Sequence, residues 1–203
     1  MSRPEVSMAE RKRRLVSDEL TESALQLLAV KGYDGVTIDE IVAAAGVSRR
    51  TFFRYFASKE DVVVQFLVDM GTDMRAELAE RPGDEPTSQA LLHAVRIPLH
   101  ACAVDSERAL RVVRLILRTP ALHARFLERQ AHWRDGLTTQ VGQRLGLTPE
   151  TELYPGLAAG MALTAFDAVL RRWCDSDGAE DPAALLDEAF AVIAPALDGA
   201  AGR

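Results

Sequence analysis

A chain of 203 residues, 48% hydrophobic, 27% charged and 6% aromatic, has room for one helical body and a small appended head but not for a multi-domain enzyme assembly. Its net charge of -6 argues against indiscriminate binding to nucleic acid. No run approaches the roughly 18 uninterrupted apolar residues of a membrane span, and residues 1–14 lack a following apolar signal segment, so a cytoplasmic location is expected.

In chain order, Val16, Leu20, Ala24, Leu27 and Leu28 recur at three-to-four spacing and predict a helix over residues 11–30. Gly32 and Gly35 end it in a turn. Thr37-Ile38-Asp39-Glu40 has the form of a capping box, opening a short helix that carries Ile38, Ile41, Val42 and Ala45 and stops at Gly46. Ser48 can cap a third helix through Thr51 to Tyr55. Ser58, with Asp61 three residues on, can cap a fourth that runs through Val62, Phe66 and Met70. Two short helices joined by a glycine-containing turn are the helix-turn-helix signature.

The charge is locally uneven. Residues 1–60 hold ten Lys/Arg against nine Asp/Glu, and the rest of the chain 14 against 21. Arg11 to Arg14 form a basic run, and Arg49, Arg50, Arg54 and Lys59 fall close together. In the third helix Phe52 and Phe56 share one face, while Arg50 and Arg54 share the opposite one. Arg49, Arg50 and Thr51, in its first turn after Ser48, occupy the place where a recognition helix meets base edges in the major groove. Arginine can bond a guanine edge bidentately and threonine can meet a base edge or a thymine methyl. Lys59 puts a cation at a helix start, against the helix dipole, which suggests that an anion such as a DNA phosphate docks there. Thr37 and Tyr55 offer hydroxyls for phosphate bonds.

The run from Thr37 to Asp61 (TIDEIVAAAGVSRRTFFRYFASKED) resembles the DNA-binding signature of the TetR family of regulators. The resemblance is close over residues 11–64 and elsewhere extends only to size and helical pattern. It implies base contacts from Arg49, Arg50 and Thr51, and phosphate contacts from Thr37, Tyr55 and Lys59. Phe53 stands where the family usually has tyrosine, so an apolar contact replaces a phosphate-bonding hydroxyl there. The expected DNA-binding set is therefore Thr37, Ser48, Arg49, Arg50, Thr51, Phe53, Arg54, Tyr55 and Lys59.

After a loop at residues 82–86, five helices are expected over residues 88–103, 106–118, 120–145, 151–174 and 182–197, with no strand alternation and frayed ends at 1–9 and 199–203. The fold class is all-α, with a helix-turn-helix domain at residues 10–58 and a ligand-binding and dimerisation domain at 59–198. Gly156, Ala159, Gly160 and Ala162 give a small-residue surface, and the family resemblance implies a homodimer through the last two long helices. One short recognition helix reads too few base pairs alone, which also calls for a dimer on a near-palindromic operator. An effector pocket is expected from Phe66, Met70, Met74, Leu99, Leu117, Trp133, Met161 and Phe166, with Arg96, His100 and Arg118 as polar groups. Residues 114–126, with Trp133, are similar to a TetR subgroup associated with acyl-CoA-like ligands, in which Arg114, Arg118 or Arg125 would receive anionic groups. An aromatic or polyketide-like effector is the alternative.

No nucleophile elbow, P-loop, dinucleotide fingerprint or His-Glu-x-x-His motif is present, so no enzyme is expected. Cys102 and Cys174 form no Cys-x-x-Cys pair, and neither metal nor cofactor is expected. The competing reading is a helical carrier of a small apolar molecule, which would have no use for Arg49, Arg50 and Thr51. A repressor released when its effector tilts the fourth helix is the expected mode of action.

Overall fold

The computed structural model describes residues 8–100, 105–149 and 151–200. Its regular structure is helical throughout, in the order α1 (Met8–Lys31), α2 (Ile38–Ala44), α3 (Arg49–Tyr55), α4 (Lys59–Glu80), α5 (Thr87–Arg96), α6 (Ser106–Arg118), α7 (Pro120–Leu145), α8 (Leu153–Asp175) and α9 (Pro182–Ala200). The chain divides into two compact units, one up to Phe66 and one from Leu67 onward, the division falling within α4.

The head is built on a few fully buried side chains. Leu20, Ala24 and Leu28 of α1, Ile41 of α2 and Phe52 of α3 all have 0% exposure, and Val42 and Phe56 are buried with them. Each large apolar side chain so buried stabilises by about 1.5–3 kcal/mol. The two short helices have little intrinsic stability and hold because their ends are satisfied. Thr37 and Glu40 close a reciprocal capping box at α2, and the Ser48 side chain accepts from the Thr51 amide at α3. Between them the chain reverses at Gly46, whose φ of +64 lies in the left-handed region. At the start of α4 the Asp61 carboxylate accepts from the Ala57 and Ser58 amides, and Ser58 Oγ accepts from the Asp61 amide.

In the body, α7 packs on α8, α8 on α9, α9 on α5 and α6 on α7. Trp173, Phe166, Met74, Leu91 and Leu122 are fully buried between these helices. Polar latches fix the corners. Arg144 of α7 donates to the carbonyls of Arg81 (2.8 Å), Pro82 (2.6 Å) and Glu85 (3.2 Å), holding the loop after α4. Asp198 accepts from the Ser88 amide at 2.9 Å and hydroxyl at 2.7 Å, joining α9 to the first turn of α5.

One expected helix is interrupted. The periodicity over 88–103 predicts a continuous element, but α5 ends at Arg96 and a single 3-10 turn follows over Ile97–Leu99. Pro98 is the cause, since it has no amide proton to continue the ladder and its ring crowds the preceding turn. Cys102 lies outside the described residues, as do the expected frayed residues 1–7 and 201–203. Of the other residues expected to fray, Met8 and Ala9 already belong to α1, and Gly199 and Ala200 still belong to α9.

Candidate DNA-reading face and effector cleft

The α3 helix separates anchor from probe. Phe52 and Phe56 are buried, their ring centroids 5.6 Å apart, while Arg49, Arg50, Phe53 and Arg54 are exposed. Arg50 has no ion-pair partner among the described residues. Arg49 donates from Nη1 to both carboxylate oxygens of Asp39, at 3.0 and 2.9 Å, and its guanidinium carbon stands 5.8 Å from the centre of the Phe53 ring. Arg54 lies over Tyr55 at 5.1 Å, and Arg13 lies over the same ring at 6.0 Å. Arg13 of the α1 basic run is thereby brought to α3 and joins the candidate set from a segment in which sequence singled out no individual residue.

The hydroxyls are partly committed. Thr37 Oγ1 donates to Glu40 Oε2 at 3.0 Å and accepts from the Glu40 amide at 3.3 Å. Ser48 Oγ and Thr51 Oγ1 share a hydrogen bond of 3.0 Å. The Lys31 ammonium 2.6 Å from Glu40, aided by the Thr37 amide and hydroxyl, holds the Glu40 carboxyl down at about 2. Lys59 requires a correction to the helix-start argument. Its ammonium donates to the carbonyls of Tyr33 at 2.6 Å and Val36 at 3.2 Å and lies 4.1 Å from the Tyr33 ring centre. The compensation that sequence assigned to a docked anion is supplied by these groups.

The expected effector residues do not form one cluster. Met74, Leu99, Trp133 and Phe166 are buried, whereas Phe66, Met70 and Leu117 are half-buried. Arg96 is paired with Asp187 of α9. His100 and Arg118 are exposed. Met161 lies on a groove of about 820 Å³ formed by α7, α8 and α9, beside Gly156, Gly160, Leu157 and Val192. Leu157 and Val192 are 60% and 79% exposed there, which is unusual for paired apolar residues on one surface. A Cβ added at Gly156 would meet nothing within 4 Å, and one at Gly160 only Arg134 Cδ at 3.9 Å. The α8 helix is long and apolar enough to cross a membrane, but half of that stretch is packed inside the body and Gly156, Leu157 and Gly160 line the groove.

Trp133 is the floor of a second, smaller cleft of about 150 Å³ between α4 and α7, walled by Thr72, Arg75, Arg129 and His132. Its indole nitrogen donates to the Leu67 carbonyl at 3.0 Å, and its ring makes edge contacts with Phe126 and Phe166. Gly71 makes this possible: a Cβ there would lie 2.1 Å from Trp133 Cδ1. Of the residues expected at Arg114, Arg118 and Arg125, Arg114 is instead bonded to the Cys174 carbonyl at 3.0 Å and paired with Asp177, and Arg125 is paired with Glu128 at 3.0 Å.

Two family models match the sequence, the tetR family of bacterial regulatory proteins over residues 20–66 and the MftR C-terminal domain over residues 85–198. The chain belongs to the TetR family. The transcriptional regulator MftR of Mycobacterium tuberculosis is 32% identical over 207 residues, covering 96% of this chain and 98% of that protein. TcmR of Streptomyces glaucescens, an HTH-type transcriptional regulator, is 31% identical, covering 82% of this chain and 76% of that one. Among solved structures, FadR of Bacillus halodurans, a fatty acid degradation regulator, superposes with a TM-score of 0.65 at 24% identity, covering 90% and 96%. FadR of Bacillus subtilis, solved with stearoyl-CoA, gives 0.65 at 22%, covering 87% and 97%.

The matched head spans α2, α3 and the buried part of α1, so the outward arginine face belongs to the DNA-binding domain of a ligand-responsive transcriptional regulator. The carrier reading is set aside, because it leaves this head without a role. Sequence reasoning missed Asp39, Arg13, Gly71, Arg75, Arg129 and the position of His132 in the cleft. Only the basic run of α1 carried a readable signal; the others depend on partners ten or more residues away.

Proposed function

We propose that this TetR-family chain is a cytoplasmic, homodimeric repressor that grips a near-palindromic operator through α3 and leaves it when a small apolar or acyl-CoA-like effector binds the body. The observation that carries the DNA part is the division of α3 into a buried Phe52–Phe56 anchor and an exposed face bearing Arg49, Arg50 and Arg54. Thr37, Tyr55 and Lys59 are proposed as phosphate contacts flanking it, and Ser48, Thr51 and Phe53 as its first-turn neighbours. Dimerisation is supported by the open apolar groove of α8 and α9, which leaves Leu157 and Val192 uncovered in a single chain.

For the effector, the cleft over Trp133 supports an amphipathic molecule with an anionic head. Arg75 and Arg129, the latter also paired with Glu128 at 3.5 Å, supply positive charge at the rim beside the His132 ring, and Trp133, Phe126 and Phe166 continue inward as an aromatic ladder. Stearoyl-CoA in the Bacillus subtilis FadR structure is of this chemical kind. Of the sequence-expected residues, Trp133 floors the cleft and Phe166 stands against its ring, and these two carry the proposed apolar lining.

The test begins with selection of a bound duplex from a random library by the purified chain. That duplex is then challenged with long-chain acyl-CoA, free fatty acid and CoA alone while fluorescence anisotropy follows release. Release by acyl-CoA but not by CoA supports the reading. Release only by an aromatic ligand set would transfer the effector to the aromatic alternative, and failure to select any duplex would remove the regulator reading itself.

A further inference from the structure

Of the two arginines that open α3, Arg50 has no ion-pair partner among the described residues and Arg49 has one. Arg49 is 58% and Asp39 65% exposed, and the nine residues between them comprise the rest of α2 and the turn that leads to α3. A single nitrogen, Nη1, serves both carboxylate oxygens. A guanidinium carries five N–H donors, so Nε and Nη2 keep theirs, and these two nitrogens form one of the fork edges that bond a guanine O6/N7 pair. The Phe53 ring lies against the same guanidinium.

We propose that Asp39 is a specificity-determining residue that makes Arg49 a reader of base edges rather than a phosphate clamp. By neutralising the charge while leaving a donor fork available, Asp39 removes Arg49 from the sequence-independent attraction to the DNA backbone, which scales with net cation contacts. It keeps the hydrogen-bond geometry that discriminates bases. A phosphate could recruit Arg49 only by breaking the pair with Asp39 and leaving that carboxylate beside a second anion, a penalty against the wrong partner rather than a gain for the right one. Arg50 and Arg54 retain ordinary backbone attraction. Because an exposed ion pair adds little to folding, the effect belongs to binding and not to melting.

This inference rests on α3 being the DNA-reading helix. The wild-type chain, Asp39→Asn, Arg49→Gln and the double variant are titrated into the duplex selected by wild type and into a scrambled duplex of the same composition, from about 50 to about 200 mM salt. Asp39→Asn should bind the scrambled duplex about three to ten times more tightly at low salt and the selected duplex within about threefold of wild type, so that discrimination falls. The log–log salt slope should steepen by about 0.9 for each recognition helix. In the Arg49→Gln background Asp39→Asn should change nothing. Asp39→Ser, neutral but retaining an oxygen suited to a helix start, repeats the test should Asp39→Asn lose α2. An equal weakening on both duplexes with an unchanged slope, no change at all, or an effect that survives in Arg49→Gln would each overturn the proposal, the last by showing that the carboxylate repels phosphate directly. A wild-type chain that selects no duplex would instead defeat the DNA-reading assignment on which it rests.

Discussion

The sequence points Arg50 to base edges and Lys59 to a phosphate, and their surroundings set them further apart. Arg50 is exposed and has no ion-pair partner among the described residues, so Arg50→Ala should weaken binding to the selected duplex by about 1–3 kcal/mol and relax sequence preference, read by comparing selected and scrambled duplexes. Lys59→Ala should weaken every duplex and also lower the melting temperature, because it removes two hydrogen bonds from a charged donor, each worth about 1.5–3 kcal/mol. An unchanged melting temperature would mean that the Tyr33 and Val36 carbonyls find water as readily. Glu40 gives a pH signature. Its carboxyl is held at about 2 in the folded head against an ordinary 4.5, so its contribution is fully present above the ordinary value and is lost as pH falls from about 4.5 towards about 2. The melting-temperature gap between wild type and Glu40→Gln should therefore be constant near neutrality and close across that acid window. The capping roles of Thr37, Ser48 and Ser58 were legible because each operates within three residues of its own helix start. The pairing of Arg49 with Asp39 was not, since it needs the turn between two helices to be folded first.

At the scale of elements, α4 and α7 approach closely because Gly71 offers no side chain to the indole of Trp133. Gly71→Ala should drive the ring from its seat, break its bond to the Leu67 carbonyl and destabilise the body by about 1–3 kcal/mol. Denaturant unfolding gives the magnitude, and a red shift in tryptophan emission absent from Trp133→Phe identifies the ring that moved. Identical emission from Gly71→Ala and wild type would show that α4 yields instead. A glycine inside a helix marks a close approach without naming what approaches, and the partner here is 62 residues away. The broken helix after Arg96 was missed for a different reason. The apolar period continues through Ile97 and Leu99 while Pro98 removes the amide that the period presupposes, so pattern and backbone chemistry gave opposite answers.

For the whole molecule, the helix-turn-helix head was nearly complete in the sequence, since its core positions, caps and basic face fall within a continuous signature. The body was legible as helices but not as an arrangement: Arg96 and Arg114, which looked available to a ligand, turn to Asp187 of α9 and to Asp177 in the turn after α8. Gly160→Glu tests the proposed dimer cleanly, because the groove around Gly160 is open in one chain and the new side chain has room until a partner covers it. A partner would desolvate the charge at a cost of several kcal/mol. Sedimentation at micromolar concentration should show a dimeric wild type and a monomeric Gly160→Glu of unchanged helicity; a monomeric wild type would refute the assembly.

The bond between Ser88 and Asp198 ties together residues 110 positions apart, and this has a bearing on how the protein comes off the ribosome. All the buried groups of the head precede residue 67, so the head can fold while most of the body is still being synthesised. The first turn of α5, by contrast, must wait for the carboxylate of α9, and the loop it closes is the longest among the hydrogen bonds described above. Translation that stops short of α9 would therefore release a folded DNA-binding head on an unfinished body, with the proposed dimer groove incomplete and the body lacking its closing helix.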